Sequence, residues 1–232
     1  MNNIIRTIKS LIFTKKYDSN PFTKFSFSQE GEDMILADLF LGKEKGFYVD
    51  IGAFHPIRFS NTNYFYQNGW SGINIEPSPL AYELFQKERS RDINLNLGIS
   101  DESNQLNYYS FDEPALNTFD ESRVTLLEKD TTYKCLKTEK ISVERLDRVL
   151  EKYCPKNPID FMSIDVEWHE YQVLNSNDWS KFRPKFLLVE ILDFDIDTIL
   201  DNLIHNFLKS KRYKFLCKTP RTCFYLDENT KL

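Results

Sequence analysis

Two short stretches decide the fold: Gly46–Pro56, which reads GFYVDIGAFHP, and Gly72–Pro77, which reads GINIEP. The first is an apolar strand that ends at Asp50 and runs into a turn at Gly52, and the second is an apolar strand that ends at Glu76. In an open α/β sheet, ligands bind at the carboxyl ends of the strands, and an acid about 20 residues after the glycine turn accepts hydrogen bonds from a ribose. The spacing of 26 residues between the two acids therefore predicts a cofactor that contains a nucleoside.

Short apolar strands alternate with longer amphipathic stretches along the rest of the chain, which is typical of a parallel sheet with crossover helices. The expected strands lie near residues 47–51, 72–76, 93–97, 159–164 and 186–191. The expected helices lie near 79–88, 143–153 and 195–210. Two β-rich runs at 213–217 and 222–226 predict a terminal hairpin, so the fold class is α/β.

The length of 232 residues and the hydrophobic fraction of 41% favour a single domain, which we place at residues 25–232. Ser28 and the acids that follow it predict the start of a helix ahead of the first strand. Residues 101–141 are polar, with one strand expected at 106–110, and we interpret them as an insertion that shapes a substrate pocket. Residues 1–24 form a basic amphipathic segment, either packed on the domain or resting on an anionic membrane surface.

The composition limits the classes of partner. A formal net charge of −5 and an isoelectric point near 5.4 argue against nucleic acid, because phosphate backbones are bound by clustered Lys and Arg. The four cysteines lack metal-ligand spacing and are expected to be reduced and structural. We expect a cytoplasmic protein, peripheral at the inner face of the membrane if residues 1–24 bind there.

Five motifs follow one another between Phe27 and Glu190. They are SQEGED at 28–33, VDIGA at 49–53, IEP at 75–77, NLGIS at 96–100 and IDVE at 164–167. In this order they resemble the FkbM family of S-adenosylmethionine-dependent methyltransferases. The resemblance implies a class I methyltransferase (Rossmann-like) fold, an open seven-stranded sheet with helices on both faces and a C-terminal antiparallel hairpin. It also implies S-adenosyl-L-methionine as cofactor and O-methylation of a sugar hydroxyl on a glycan, glycolipid or nucleotide-sugar precursor, as in polysaccharide biosynthesis.

The chain departs from the family pattern at two positions. Trp168 follows Glu167 where the family usually has glycine, which bears on the shape of the acceptor pocket. Phe54 takes the second glycine position of the pattern Asp-x-Gly-x-Gly. Other members of the family tolerate this second change, so the cofactor prediction stands.

The strand and turn pattern itself predicts Asp50, Gly52 and Glu76 as cofactor-binding residues, since glycine admits the cofactor and a carboxylate accepts two ribose hydrogen bonds. The resemblance adds Gln29 and Glu32, whose motif lies over the cofactor in the family, although helix N-terminal charges are the alternative. The other candidates are Ala53, Pro77, Gly98 and Asp165, together with Thr62 and Asn63, which either contact the methionine end or cap a helix.

The run IDVEWH at residues 164–169 closes the fourth strand, on the side where methyl transfer must occur. Transfer from a sulfonium is a direct displacement, so the enzyme needs a base near the acceptor hydroxyl. His169, His55 and Glu167 have suitable chemistry for that base. Alternatively, Asp165, Glu167 and Glu190 hold Mg²⁺ or Mn²⁺, which prefer oxygen ligands. Asp165 is a candidate catalytic residue in both cases.

Two other functions compete with methyl transfer. A nicotinamide-dependent oxidoreductase shares the strand, glycine and acid pattern, but it needs Gly-x-Gly-x-x-Gly to receive a pyrophosphate. The corresponding run here, GAFHPI at residues 52–57, has a single glycine. The second rival is a catalytically inactive module that keeps the fold and binds the cofactor, which the aromatic residue at Trp168 makes a real alternative.

Overall fold

The computed structural model describes residues 23–154, 158–192 and 195–230 of the chain. In chain order, its helices and strands are α1 (Glu32–Leu39), β1 (Phe47–Ile51), α2 (Asn63–Gln67), β2 (Ser71–Ile75), α3 (Pro79–Glu88), β3 (Ile93–Leu95), β4 (Gly98–Ile99), β5 (Asn104–Phe111), α4 (Glu121–Asp130), β6 (Cys135–Glu144), α5 (Leu146–Tyr153), β7 (Phe161–Ile164), α6 (Glu170–Asn175), β8 (Phe186–Glu190), α7 (Leu203–Ser210), β9 (Tyr213–Lys218) and β10 (Thr222–Asp227). Short 3₁₀ turns lie at Pro114–Leu116 and Ile196–Asp201.

The main sheet has seven strands in the order β3-β2-β1-β7-β8-β10-β9. The first five of these are parallel, and β10 runs antiparallel to both β8 and β9. This arrangement confirms the α/β class, the class I topology and the C-terminal hairpin. At the centre of the sheet, Asp50 lies between Asn74 of β2 and Ser163 of β7.

Alternate residues of the central strands feed two apolar cores, because successive side chains of a strand point to opposite faces. Val49 and Met162 pack on one face with helices α5, α6 and α7. Tyr48 and Phe161 pack on the other face with α1 and α2. The sheet is therefore covered on both sides, as a parallel sheet requires.

The 101–141 insertion is more regular than the sequence predicts. Instead of one strand in irregular chain, it contains β5, helix α4 and most of β6, and the two strands pair antiparallel with Leu106 opposite Ile141. Together with β4 they form a second, three-stranded sheet. The prediction missed β6 because several of its positions carry charges, such as the exposed Lys137 and Lys140 and the half-buried Glu139, which obscure the alternation of a half-buried strand.

Several predicted boundaries shift for local reasons. Ser28 is not the N-cap of α1: the cap residue is Gly31, and the Ser28 hydroxyl accepts hydrogen bonds from the backbone of Gly31 and Asp33. The helix predicted at 143–153 begins only at Leu146, after β6 ends. The helix predicted at 195–210 divides at Asn202, whose side chain caps α7.

Two further expectations concern the termini and the thiols. Residues 1–22, and with them almost all of the basic amphipathic segment, lie outside the described residues. Within the described ranges, none of the helices has the length and apolar character that crossing a membrane requires. The four cysteines are free thiols, as predicted.

A buried arginine fixes the loop between β1 and α2. The Arg89 side chain, only 1% exposed, donates twice to the carbonyl of Pro56, at 3.0 and 2.6 Å, and once to the Ser60 hydroxyl at 3.1 Å. It also donates to the Tyr48 hydroxyl at 3.1 Å and forms an ion pair with Asp92 at 3.7 Å. A buried charge with this many partners stabilises the loop because each of its three nitrogens donates a hydrogen bond.

Replacing Arg89 with methionine should lower the free energy of unfolding by about 3–5 kcal/mol, since it leaves a buried carboxylate and a buried carbonyl without their partner. Urea denaturation monitored by circular dichroism measures this change. Lys87→Met is the control, because Lys87 is exposed and pairs only with Glu88, and it should change stability by less than about 0.5 kcal/mol. Equal effects of the two substitutions would contradict the role given to Arg89.

Candidate active site

A cavity with a volume of about 750 Å³ lies at the carboxyl ends of the parallel strands. Four acids from four strand ends line it: Asp50, Glu76, Asp165 and Glu190. Its second wall comes from the insertion, which contributes residues on both sides of the 3₁₀ turn. The cavity thus joins the strand ends, where a cofactor is expected, to the segment predicted to shape a substrate pocket.

The turn after β1 requires glycine at position 52. Gly52 has a φ of 74°, and a Cβ atom there would lie 1.8 Å from the backbone oxygen of Asp165. The backbone amides of Gly52 and Ala53 both donate to the carbonyl of Ile75, at 3.0 and 3.2 Å. These contacts join the ends of β1, β2 and β7, and Gly52 and Ala53 both line the cavity as predicted for cofactor-binding residues.

Glu76 is held by the backbone around it. Its carboxylate accepts hydrogen bonds from the amides of Phe54 and Ser78, each at 2.7 Å. Burial raises the pKa of Glu76 to about 7. The two hydrogen bonds favour the charged form and lower the pKa, but their effect is smaller than that of burial. A carboxylate offers about four lone-pair sites, so two remain for hydroxyl donors in the cavity.

Asp50 has a similar environment. Its carboxylate accepts a hydrogen bond from the Thr62 hydroxyl at 2.9 Å, and burial raises the pKa of Asp50 to about 6. Thr62 and Asn63 themselves do not line the cavity, whereas their neighbour Asn61 does and donates to the Ser163 hydroxyl at 3.0 Å. Thr62 thus acts through Asp50, and Asn61 is the member of this loop that faces the cavity.

The remaining predicted cofactor residues divide into two groups. Gln29, Pro77 and Gly98 line the cavity. At Gly98 a Cβ atom would lie 2.6 Å from the ring of Phe119, which explains the glycine. Glu32 is not among the lining residues: its carboxylate accepts bonds from the Thr219 hydroxyl at 2.7 Å and the backbone of residue 30 at 2.9 Å.

Asp165 and Glu190 form a carboxyl pair at the ends of the neighbouring strands β7 and β8. Their side chains share a hydrogen bond, which requires one of the two to carry a proton. Burial raises the pKa of Glu190 to about 8 and the pKa of Asp165 well above its ordinary value. Repulsion from other nearby carboxylates raises both pKa values further. The shared hydrogen bond therefore holds a proton between two carboxyl oxygens next to the Gly52 turn.

The two residues after Val166 adopt an unusual backbone. Glu167 and Trp168 have φ values of 50° and 80°, in the left-handed region that favours glycine. Glu170 stabilises this turn, because its carboxylate accepts the amides of Val166 and Trp168 at 3.1 and 3.3 Å. The family's usual glycine at position 168 is thus explained by backbone conformation, which the tryptophan adopts under strain.

The two candidate histidines have different surroundings. His169 does not line the cavity: it is buried, and its Nε2 lies 3.0 Å from the Ser100 hydroxyl. His55 does line the cavity, but its Nδ1 accepts the amides of Ile57 and Arg58, each at 3.0 Å. The neutral His55 ring therefore carries its proton on Nε2, and burial lowers the pKa of both histidines. This geometry disfavours either histidine as the base.

Among the described residues, one acidic group has metal-ligand spacing: carboxyl oxygens of Asp165, Glu170 and Glu190 lie within 4.8 Å of one another. Glu167, which the sequence placed in this set, instead forms an ion pair with Arg123 at 3.0 Å. Its place is taken by Glu170, the first residue of the next helix. An oxygen-only set of this kind suits Mg²⁺ or Mn²⁺, although the same carboxyls already bind each other and the backbone.

Some cavity residues were not singled out from the sequence. The insertion contributes Tyr108, Asn117 and Arg123, and the loop after β1 contributes Arg58, which forms two 3.2 Å hydrogen bonds to Glu113. Asp120 could have indicated the start of α4, because aspartate is a preferred N-cap residue and its side chain accepts the backbone amide of Arg123. The contacts across the cavity themselves have no signature in a single sequence.

The fold and the acid-lined cavity define a Rossmann-like protein of the methyltransferase class. The model of the methyltransferase FkbM domain matches residues 50–215, so this chain belongs to the FkbM methyltransferase family. No curated protein sequence matches the chain. The family assignment favours methyl transfer over the nicotinamide alternative.

Solved structures with a similar chain trace are methyltransferases of low sequence identity. The FkbM methyltransferase of Methylobacillus flagellatus KT is 17% identical with a TM-score of 0.48, over 90% of this chain and 46% of that one. A TehB-like SAM-dependent methyltransferase of Corynebacterium glutamicum is 5% identical with a TM-score of 0.43, over 96% and 100%. An O-methyltransferase of Bacillus cereus in complex with SAH is 10% identical with a TM-score of 0.39, over 95% and 90%. The chain therefore spans less than half the length of the M. flagellatus protein.

The cavity fits the S-adenosylmethionine that the family implies. Glu76 keeps lone pairs free for two ribose hydroxyls, and Gly52 and Ala53 of the glycine turn line the same cavity. Leu84 and Leu97 add apolar lining suited to a base. Asp50, Gly52 and Glu76 therefore stay the predicted cofactor-binding residues.

The affinity for S-adenosylhomocysteine should rise as the pH increases from 6 to 8, by up to about tenfold per unit below the pKa of Glu76, because ribose hydroxyls bind the ionised carboxylate best. The free protein should respond oppositely. Between pH 4.5 and about 7 native Glu76 holds a proton that the unfolded chain has lost, so the free energy of unfolding falls as the pH rises.

Isothermal titration calorimetry at several pH values measures the first effect, and urea denaturation at the same values measures the second. Glu76→Gln cannot titrate, so it should bind more weakly and lose the part of the pH dependence that belongs to this residue. A native protein whose affinity does not change with pH would show that Glu76 does not bind the ribose.

Proposed function

We propose that this protein is an S-adenosylmethionine-dependent O-methyltransferase acting on a sugar hydroxyl of a glycan, glycolipid or nucleotide-sugar precursor. The observation that carries the proposal is one cavity with two differently built halves. One half has the glycine turn and Glu76 at the strand ends, and the other has aromatic and polar side chains from the insertion and from the loop after β1. Asp165 lies where β7 ends, against the glycine turn.

The proposed chemistry is a direct displacement. The cofactor, when bound, supplies a methyl group on a positively charged sulfur. The ionised carboxylate of the Asp165–Glu190 pair would accept the proton of the acceptor hydroxyl. The oxygen of that hydroxyl would take the methyl group, which leaves the sulfur neutral. The pair suits this role because it already holds one proton between two oxygens, and its raised pKa makes it a stronger base than an exposed carboxylate.

The lining of the second half supports a saccharide acceptor. Aromatic rings suit the apolar faces of a sugar, and hydroxyl and amide groups suit its edges. The rings are Phe54, Phe59, Tyr108, Phe111 and Tyr133, and the polar groups include Ser110 and Asn117. The net charge of −5 supports a sugar over a nucleic acid. We place the reaction on the cytoplasmic side, with residues 1–24 as a weak anchor on the inner face of the membrane.

Asp165→Asn should leave the dissociation constant for S-adenosylhomocysteine within a few-fold while lowering turnover by about 10²-fold or more, as loss of a general base does. The assay follows conversion of labelled cofactor with pools of sugars, nucleotide sugars, lipid-linked glycans, nucleic acids and proteins. Asp178→Asn is the control, because that carboxylate is exposed and does not line the cavity.

Label that enters nucleic acid or protein, with every glycan pool blank, would contradict the sugar acceptor. Cofactor that binds but is not turned over with any pool would favour the inactive binding module. Full turnover by Asp165→Asn would remove the carboxyl pair from the mechanism.

A divalent cation held by Asp165, Glu170 and Glu190 is the second mechanism we propose to test. If it operates, a chelator should abolish turnover, and Mg²⁺ or Mn²⁺ should restore it, because the ion would lower the pKa of the acceptor hydroxyl. Turnover that is indifferent to the chelator would leave the carboxyl pair as the base. The measurement uses the labelled-cofactor assay on protein dialysed against the chelator.

A further inference from the structure

The positively charged side chains that line the cavity are all arginines. Arg58 comes from the loop after β1, Arg123 from the insertion helix α4, and Arg221 from the turn between β9 and β10. The described lining includes no lysine. A planar guanidinium presents parallel donors that match the two oxygens of a carboxylate or phosphate, which makes arginine the usual residue for such groups.

Arg123 differs from the other two in its burial. Arg58 and Arg221 are about half exposed, and they pair with Glu113 and Glu30 respectively. The side chain of Arg123 is only 12% exposed.

The Arg123 guanidinium lies 5.0 Å from the ring of Trp168, which fixes its plane. Its Nη2 donates to Glu167 at 3.0 Å, but its Nε is buried with no hydrogen-bond partner. Leaving a buried charged donor unpaired is unfavourable, so a ligand oxygen in the cavity would satisfy a need that the protein leaves open.

The carboxylates near Arg123 are already engaged. Glu167 binds Arg123 itself, and the Coulomb attraction of Arg221 also acts on Glu167. Asp165 and Glu190 bind each other. Arg123 lines the same cavity as Asp165, and none of these carboxylates pairs with its Nε, so the guanidinium keeps donor capacity for an anion bound there.

We infer that Arg123 binds an oxyanion on the acceptor, either a sugar carboxylate or a sugar phosphate, so that the enzyme prefers acidic saccharides to neutral ones. This inference rests on the proposed function, which makes the acceptor a saccharide. Arg123 is then the residue that determines specificity. Trp168 supports this role, because its ring lies against the Arg123 guanidinium. The family usually has glycine at this position and so lacks that contact.

The test is calorimetric titration with glucose, glucuronate and glucose 1-phosphate, each with and without S-adenosylhomocysteine. Glucuronate or glucose 1-phosphate should bind at least tenfold more tightly than glucose, and the better of the two identifies the oxyanion. The double variant Arg123→Gln/Glu167→Gln removes the arginine without leaving an unpaired carboxylate, and it should bind all three sugars with similar affinity. Its affinity for S-adenosylhomocysteine should stay within about twofold of the native value.

The matched control is Arg148→Gln/Glu144→Gln, which removes an exposed ion pair outside the cavity and should keep the preference for acidic sugars. Equal binding of glucose and both acidic sugars by the native protein would overturn the inference, and so would a preference that survives in the Arg123 double variant. A protein that fails to bind S-adenosylhomocysteine would instead overturn the proposed function. In that case the titrations without it still test Arg123.

Discussion

The close contact between the Gly52 turn and the backbone of Asp165 is the constraint on which the site depends. A side chain at position 52 would meet the Asp165 carbonyl oxygen at 1.8 Å, so β1 and β7 can end side by side only with glycine there. The Asp165 amide adds a 3.0 Å bond to the carbonyl of Ile51 across the same junction. This contact places a carboxyl group beside the cofactor turn without any flexible segment between them, and rigid elements position reacting groups best.

The four strand-end acids share a location but differ in what holds them. Glu76 and Asp50 are bound by backbone amides and a threonine hydroxyl, which favour the charged form and fix the carboxylates as acceptors. Asp165 and Glu190 bind each other and so retain a proton. Burial raises the pKa of all four acids, but their partners differ. Asp50 and Glu76 are therefore suited to binding hydroxyls, and Asp165 and Glu190 are suited to moving a proton.

Local patterns in the sequence were sufficient for the sheet and for its acids. Asp50 and Glu76 were predictable because a strand end followed by a turn is encoded within a few residues, and the parallel order then brings the ends together. The burial of His169 against Ser100 could not be predicted, because it follows a left-handed turn at Glu167 and Trp168 that non-glycine residues do not signal. Arg123 and Glu170 could not be found, because their roles arise from contacts between segments that are distant in sequence or from a strained backbone.

The strained turn after β7 has a consequence for how the protein could be altered by evolution or by engineering. A non-glycine residue in the left-handed region costs about 1–2 kcal/mol, so Glu167 and Trp168 need outside support. Part of that support comes from the insertion, where the Thr118 hydroxyl donates to the Glu167 carbonyl at 2.7 Å and Arg123 binds its carboxylate. The insertion is therefore not an exchangeable module. A chimera that receives another relative's insertion would have to receive that relative's residues 167 and 168 as well. The insertion and these two residues would then change acceptor preference together.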